Sequence, residues 1–236
     1  VRILPWDSDF FGFRVAELER GALSEKAWPP IHAWCREQRV RCVYYRADPV
    51  DFESSALALQ SGFLLADVRL LFERSLDRGL AEELRETAIR PIRAQEWPIV
   101  EDLARSMAFV SRFHRDSHFP QGAAGEMYVI WVRKVGAGRG EILVAEVGDR
   151  VAGFIACDVE DGVGDIALVG LAPEFRGQGL GGLLVRASLR WFQREGCSTA
   201  QVVTQGHNVP AQRIYQRAGF LTKRVSLVYH RWFNQR

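Results

Sequence analysis

The spacing of apolar residues divides the chain into alternating strands and helices. Before residue 75, the pattern predicts helices over 31–38 and 54–60 and strands over 40–46 and 64–74. After residue 88, strands are expected at 88–93, 141–147, 151–159, 165–171, 199–204 and 222–232, and helices at 95–108, 123–135, 183–194 and 209–218. This order predicts an α/β fold with a central mixed, mostly antiparallel sheet and helices on its faces.

The first residues of the chain differ in pattern from the rest because aromatic side chains cluster there. Residues 3–19 are expected to form loop and strand around an aromatic patch of Trp6, Phe10, Phe11 and Phe13, with a turn at residues 7–9. We expect the patch to build a small core. Residues 75–88 are charged and leucine-spaced, which predicts a helical linker. The sequence therefore predicts a small N-terminal α/β domain over 1–75, a linker over 76–88 and a second domain over 89–236.

The two predicted domains align with each other at a shift of 157 positions. The shift brings Trp34 onto Trp191 and residues 62–64 onto 219–221, as part of seven identities in forty-four positions. The order of helices and strands agrees as well. We therefore hypothesise that the N-terminal region is a degenerate half-copy of the C-terminal one.

A glycine-rich stretch over residues 176–182 lies between a predicted strand and a predicted helix. Open glycine backbone at a helix start presents N–H groups to an anion. The stretch contains the spacing of a dinucleotide-binding loop, but residues 173–176 separate it from the strand. The next strand also ends without a carboxylate, at Thr204-Gln205. These two features exclude a Rossmann site.

The stretch resembles the acetyl-CoA loop of the GNAT N-acetyltransferases. That family has Gln/Arg-x-x-Gly-x-Gly/Ala after a strand and a Val-x-Pro step, and residues 171–181 here read LAPEFRGQGLG. Downstream the family places an Asn, a Tyr seven residues later and a Gly-Phe pair, which Asn208, Tyr215 and Gly219-Phe220 match. The resemblance covers residues 89–233, roughly, and implies a GNAT fold.

The resemblance also implies how the chain acts. Acetyl-CoA would be the co-substrate, and the acetyl group would pass directly to an amine with Tyr215 as general acid. The implied acetyl-CoA-binding residues are Val169, Leu171, Arg176, Gly177, Gln178, Gly179, Leu180, Gly181, Gly182 and Asn208. The position that matches Tyr215 in the N-terminal half is Ala58, so that half is expected to be catalytically empty. For the general base, Asp165, Glu141, Asp67, a water chain and the loop histidines all remain open.

The acceptor side is expected to include residues 109–120, which carry two arginines, two histidines and three phenylalanines. Arginines suit a diphosphate, and aromatic rings suit a base or sugar. The candidate acceptor-binding residues are Asp67, Arg112, His114, His118 and Thr204. Residues 6–12, 111–113 and 203–208 narrow the resemblance to the dTDP-fucosamine acetyltransferases, which implies a nucleotide-linked amino sugar as acceptor. The alternatives are a GNAT enzyme for protein or drug amines and a non-catalytic acyl-CoA-binding module.

Composition limits the remaining classes of function. A formal charge of +2 over 236 residues gives no reason to expect nucleic acid or a membrane surface as partner. The four cysteines lack metal-site spacing, so we expect no metal and reduced thiols in the cytoplasm. A homodimer is possible.

Overall fold

The computed structural model describes residues 1–19, 21, 23–76 and 89–233. Ten strands occur in this part of the chain, and they all belong to one sheet. The strands are β1 (Arg2–Ile3), β2 (Val15–Leu18), β3 (Cys42–Ala47), β4 (Leu64–Ser75), β5 (Ile89–Pro91), β6 (Glu141–Val147), β7 (Arg150–Glu160), β8 (Val163–Leu171), β9 (Thr199–Gln205) and β10 (Leu221–Trp232). The predicted linker lies, apart from Leu76, outside the described residues.

Eight α-helices in the described part cover the two faces of the sheet. They are α1 (Pro5–Phe11), α2 (Trp28–Glu37), α3 (Phe52–Gln60), α4 (Trp97–Met107), α5 (Arg112–Arg115), α6 (Ala123–Ala137), α7 (Leu180–Arg194) and α8 (Val209–Arg217). Helices α4 and α6 pack over one core cluster, α7 and α8 over a second, and α2 contributes to a third with residues of β2 and β3. The predicted α/β architecture is confirmed.

The sheet has the strand order β1-β2-β3-β10-β4-β9-β8-β7-β6-β5. The pairs β2–β3 and β8–β9 are parallel, and the other neighbours run antiparallel. The prediction of a mixed, mostly antiparallel sheet is therefore confirmed.

The N-terminal and C-terminal regions exchange strands at the centre of the sheet. Strand β4 of the N-terminal region pairs with β9, and β10 of the C-terminal region pairs with β3. The N-terminal strands thus continue the C-terminal sheet. The division into domains at residues 76–88 stays a prediction.

The strand pairing follows the internal repeat. Leu227 pairs with Ala47 in one exchange, and Leu70 pairs with Thr204 in the other. Moving each partner by the 157 positions of the sequence shift converts the first pair into the second. The two β–α–β–α–β segments, from β2 to β4 and from β8 to β10, therefore have equivalent registers about the centre of the sheet. This equivalence supports the half-copy hypothesis.

The N-terminal aromatic patch belongs to a larger core than the sequence suggested. Residues 5–11 form helix α1, so the predicted turn at 7–9 is wrong. Pro5 at the helix start and Gly12 at its end, with φ of 74°, explain this short helix. The Phe11 ring lies 4.6 Å from the ring of Phe119. The patch therefore packs against the segment that was predicted to bind the acceptor.

Candidate active site

Strands β8 and β9 separate part-way along their length. They are paired from Val163 with Thr199 to Ile166 with Val202. Beyond this point β8 continues to Leu171 and β9 to Gln205 without pairing to each other. An extra residue in β8 bends the strand here, because neighbouring positions of β7 pair with Ile166 and Leu168 and skip Ala167. The result is a gap in the sheet with free strand edges.

The glycine-rich stretch lies at the end of β8 and begins helix α7. Gly177 and Gly179 have φ of 76° and 82°, the left-handed region that favours glycine. Helix α7 starts at Leu180 and not at residue 183 as predicted, so Gly181 and Gly182 form its first turn. The helix starts earlier because Gly179 in the left-handed conformation is its N-cap.

Some backbone amides of this stretch donate hydrogen bonds within the turn, and the others have no backbone acceptor in the described part of the chain. The N–H of Arg176 donates to the carbonyl of Pro173, and the N–H of Gly182 donates to the carbonyl of Gly179. The amides of residues 177–181 have no backbone acceptor in the described part of the chain. Five consecutive N–H groups at the positive end of a fifteen-residue helix fit a phosphate group.

The polar side chains of the stretch turn back onto it. Arg176 Nε donates to the Leu171 carbonyl at 3.3 Å, and Gln178 Nε2 donates to the Glu174 carbonyl at 3.1 Å. The cradle is therefore built from backbone, which matches the glycine spacing.

A cavity of about 270 Å³ opens at the gap between β8 and β9. Its lining combines residues from both halves of the chain. The lining includes Asp67, Arg69, Arg112, Asp165, Val169, Thr204, Asn208 and Tyr215. The structure thus brings together the predicted general acid, Tyr215, and three of the five candidate acceptor-binding residues, Asp67, Arg112 and Thr204. Two of the predicted acetyl-CoA-binding residues, Val169 and Asn208, line the same cavity.

The tyrosine of the downstream motif lies inside this cavity. Tyr215 is buried in α8, with its ring 6.0 Å from Phe72 and 5.9 Å from Phe220. Burial, and then the charge of Asp165, raise the pKa of Tyr215 above its usual range. The phenol is therefore protonated at neutral pH and able to donate a proton.

Asn208 holds the start of the helix that carries Tyr215. Its side chain accepts a hydrogen bond from the N–H of Ala211, which confirms the predicted N-cap. Its Nδ2 donates to Oγ1 of Thr204 at 3.2 Å. Both side-chain groups of Asn208 are thus used within the protein, and Thr204 is fixed at the edge of the cavity.

A family model decides the classification of this site. The model for the acetyltransferase (GNAT) family matches residues 97–220, which span β6 to β9, the glycine-rich stretch and α8. The chain belongs to the GNAT acetyltransferase family. It accordingly has the GNAT fold, as the motifs indicated.

Part of this chain is similar in sequence to other proteins. The spore coat polysaccharide biosynthesis protein SpsD of Bacillus subtilis (strain 168) is 30% identical over 132 residues, which cover 56% of this chain and 46% of that protein. A mycothiol acetyltransferase of Pseudarthrobacter chlorophenolicus is 32% identical over 96 residues, or 38% of this chain and 30% of that protein. The matches span less than half of these relatives.

Solved structures share the fold over most of the chain. A functionally unknown conserved protein from Staphylococcus epidermidis matches with a TM-score of 0.64, 15% identity, and coverage of 94% of this chain and 84% of that one. A tandem GNAT protein from the clavulanic acid biosynthesis pathway matches with a TM-score of 0.59, 16% identity, and coverage of 89% and 70%. At these coverages the structural similarity includes N-terminal strands and helices as well as the GNAT region.

The carboxylate of Asp165, in the cavity at the gap between β8 and β9, has a raised pKa. Burial, and then repulsion by Asp158, raise the pKa of Asp165 to about 6, while Arg69 opposes the shift. Asp165 therefore changes protonation close to neutral pH. Glu141, another predicted candidate for the base, lies on β6 and is not part of the cavity lining.

Two arginines that line the cavity, Arg69 and Arg112, carry positive charge. The guanidinium of Arg69 makes no hydrogen bond or ion pair with another described residue. Burial, and then the charges of Arg46 and Arg112, lower its pKa to about 10, so it remains charged at neutral pH. Asp67 lies near Arg112, and burial raises its pKa while Arg112 opposes the shift. Arg69 belongs to no recognisable sequence motif. It reaches the cavity only because β4 lies at the centre of the sheet, between β10 and β9.

Arg112 is held by a partly buried chain of hydrogen bonds that the sequence did not reveal. Its Nε donates to Nε2 of His230 at 3.1 Å, and Nδ1 of His230 lies 2.7 Å from Oδ2 of Asp116. Trp232 Nε1 donates to the same carboxylate oxygen at 2.9 Å. The Arg112 guanidinium also lies over the ring of Phe113, 4.2 Å from its centroid. The sequence does not indicate the contact of His230 with Asp116, because the two residues lie 114 positions apart in the chain.

The two loop histidines lie away from the cavity. His114 is exposed and not among the lining residues. His118 Nδ1 lies 2.8 Å from Oδ1 of Asp116, and His118 lines a different cavity. Within the described residues, no group of three or more metal-ligand side chains is placed to hold an ion, and no helix is long and apolar enough to span a membrane.

Proposed function

We propose that this protein transfers the acetyl group of acetyl-CoA directly to the primary amine of a small anionic molecule, a nucleotide-linked amino sugar. The observation that carries the proposal is the shared cavity of Tyr215, Asp165, Arg69 and Arg112 at the gap between β8 and β9. It combines a proton donor, a proton acceptor and two cations beside a phosphate cradle.

The residues of the gap fit acetyl-CoA. The free amides of residues 177–181 would hold its pyrophosphate, and the unpaired edge of β8 at Val169 and Leu171 would pair with its pantetheine arm. Acetyl-CoA supplies the acetyl group as a thioester, which is reactive towards an uncharged amine. A backbone N–H at the same strand edge would stabilise negative charge on the carbonyl oxygen.

Two side chains would move the protons. Asp165, ionised above a pH of about 6, would accept the proton of the ammonium form of the acceptor, directly or through one water. Tyr215, buried and protonated, would donate to the sulfur that leaves. At neutral pH Asp165 is therefore mostly ionised while Tyr215 stays protonated, so each group is in the state that its step requires.

The acceptor side favours an anionic substrate. Arg69 is unpaired and Arg112 is held in place by His230, and arginine binds phosphate groups in a bidentate manner. Similarity to a protein named for spore coat polysaccharide biosynthesis supports a sugar as the amine carrier. A dTDP-linked amino-dideoxy sugar, as in the dTDP-fucosamine acetyltransferases, is the specific acceptor that we propose.

The test is a turnover assay that follows thiol release from acetyl-CoA against a panel of amines. The panel contains nucleotide-linked amino sugars, the same sugars without the nucleotide, a glucosamine derivative, a lysine peptide and an aminoglycoside. We expect the nucleotide-linked sugars to have the highest kcat/KM and loss of the diphosphate to raise KM. Preference for the peptide or the drug amine would contradict the proposed acceptor, and no turnover with any amine in the presence of bound acetyl-CoA would favour a binding module.

A further inference from the structure

A second cavity, of about 840 Å³, lies between the N-terminal region and the end of β10. It is formed by α2, the end of β10 and residue 118, and it shares no lining residue with the acetyl-CoA gap. Its titratable lining residues are all basic: His32, Arg36, Arg39, His118 and Arg231. A cavity of this size can hold a small molecule, and the one-sided charge favours an anion.

His118 lies against the carboxylate of Asp116, but the three arginines are not paired with an acid in the described part of the chain. Within the described part of the chain, neither Arg36 nor Arg39 forms an ion pair, and Nε of Arg231 is buried without a hydrogen-bond partner. Burial, and then the charges of Arg231 and Arg36, lower the pKa of His32. The cavity therefore has a positive potential although the chain as a whole carries a formal charge of only +2.

The internal repeat provides a comparison for this cavity. Arg39 follows the end of α2 and lies in the left-handed region, with φ of 53°. The matching residue after α7 is Gly196, with φ of 75°. The N–H of Arg39 donates to Arg36 and the N–H of Gly196 donates to Gln193, both at 3.1 Å. The two turns are the same, and glycine is the residue that adopts this conformation without steric cost. The turn itself does not explain an arginine at position 39.

The matching place in the C-terminal half is filled. Gln193 corresponds to Arg36, and its side chain donates to the carbonyl of Leu76. Leu189 corresponds to His32 and is fully buried in the core. The N-terminal half therefore has three basic residues around an open cavity where the C-terminal half has a glycine, a glutamine and a leucine.

We propose that this second cavity binds a phosphorylated small molecule that carries a planar ring, of the nucleoside diphosphate type. Arg36, Arg39 and Arg231 bind the phosphate groups, since guanidinium groups pair with phosphate oxygens in a bidentate manner. Trp232 and Phe233, together with Val40 and Leu64, form the apolar part of the wall, against which a ring packs. The site is independent of the proposed acetyl transfer, because it uses neither the glycine-rich stretch nor Tyr215.

Isothermal titration of the full chain tests the proposal, with ADP and inorganic pyrophosphate as probes. Saturating CoA is present throughout, so that the glycine-rich stretch is filled. The variant R36Q/R39G carries the residues of the C-terminal half, and glycine at position 39 relieves the left-handed conformation, so the fold is expected to persist. We expect this variant to bind ADP at least tenfold more weakly than the parent. The control R194Q changes an exposed arginine in the last turn of α7 and should bind like the parent.

The possible outcomes separate the parts of the proposal. No binding by the parent, or equal binding by the parent and R36Q/R39G, overturns the site. Pyrophosphate binding as tightly as ADP overturns the role of the planar ring. Acetyl-CoA turnover with a small primary amine should be the same in R36Q/R39G as in the parent, so a failure of this site and a failure of the acetyl transfer are distinguishable.

Discussion

Arg112 and His230 are joined by a hydrogen bond of 3.1 Å from Nε of the guanidinium to Nε2 of the imidazole. Because the guanidinium has only donors, Nε2 is the acceptor, and the ring proton lies on Nδ1, which donates to Asp116. Burial lowers the pKa of His230 to about 4, so the ring is neutral at neutral pH. A neutral, fully buried imidazole thus fixes the direction of an arginine that lines the cavity at the gap between β8 and β9.

We expect His230→Leu to raise KM for the acceptor about tenfold or more and to leave KM for acetyl-CoA unchanged. Leucine fills similar space but cannot accept from Arg112, which would then lose its fixed direction. Steady-state kinetics with each substrate varied in turn is the measurement. His118→Gln is the control, because it changes another partner of Asp116 without touching Arg112. A larger change in KM for acetyl-CoA than for the acceptor would contradict the positioning role.

We expect kcat/KM to fall below a pH of about 6, where Asp165 becomes protonated. Asp165→Asn should remove this acidic limb and lower turnover about a hundredfold, the usual contribution of a positioned base. Asp158→Asn should move the limb to lower pH, since the charge of Asp158 raises the pKa of Asp165. A pH profile that is the same in all three proteins would exclude Asp165 as the base.

The stability of Asp165→Asn should change in the opposite sense to its activity. The raised pKa means that the folded state binds the proton more tightly than the unfolded state, so stability falls as pH rises from about 4 to about 6. Asparagine removes this penalty, and the variant should be more stable above pH 6 by on the order of 1 to 2 kcal/mol. Urea unfolding at a pH of about 4, the lower end of that range, and at about 8, well above its upper end, measures the difference. A gain at the lower pH alone would be inconsistent with it.

Tyr215→Phe should lower turnover about a hundredfold and leave acetyl-CoA affinity nearly unchanged. The ring, which packs on Phe72 and Phe220, is kept, and only the proton donor is lost. Stopped-flow or steady-state rates give the first quantity, and a calorimetric titration gives the second. Turnover within a few-fold of the parent would make the tyrosine structural and leave protonation of the sulfur to solvent.

Gly179→Val should abolish acetyl-CoA binding, whereas Arg176→Ala should weaken it less. A β-branched residue cannot readily adopt the φ of 82° at Gly179, and the free amides of the stretch would move. Gly148→Val is the matched control, because Gly148 has φ of 60° in the β6–β7 hairpin and open space around it. Both glycine variants should lose stability, but only Gly179→Val should lose binding. Equal losses for Arg176→Ala and Gly179→Val would count against a cradle made of backbone.

A chain of residues 89–236 should not fold to a native sheet. Strand β4 lies between β9 and β10, so its removal leaves both of these strands without their central neighbour. Circular dichroism and hydrogen exchange of this fragment, alone and mixed with residues 1–76, measure the effect, and we expect order only in the mixture. A fragment that folds alone and retains acceptor affinity would establish 89–236 as an independent domain.

The local sequence determined those parts of the site that depend on neighbouring residues. The glycines at 177 and 179 predicted a backbone cradle because the left-handed φ is a local property of the chain. Asn208 predicted the start of α8 because a cap bonds within one turn. The apolar periodicity likewise predicted most strands and helices, although it missed α1, whose proline start and glycine end enclose only seven residues.

Only the tertiary structure decided which distant residues meet. The pairing of β4 with β10 and β9 brings Arg69 and Asp67 beside Thr204. A local sequence pattern predicts a strand but not its partner strand, so this proximity could not be predicted. The contact of Arg112 with His230 joins residues 118 positions apart, and the shift in the pKa of Asp165 arises from burial within the assembled sheet. The sequence by itself thus determined the family and the glycine-rich stretch, whereas packing decided which charged side chains line the cavity, because charge and burial there depend on long-range pairing.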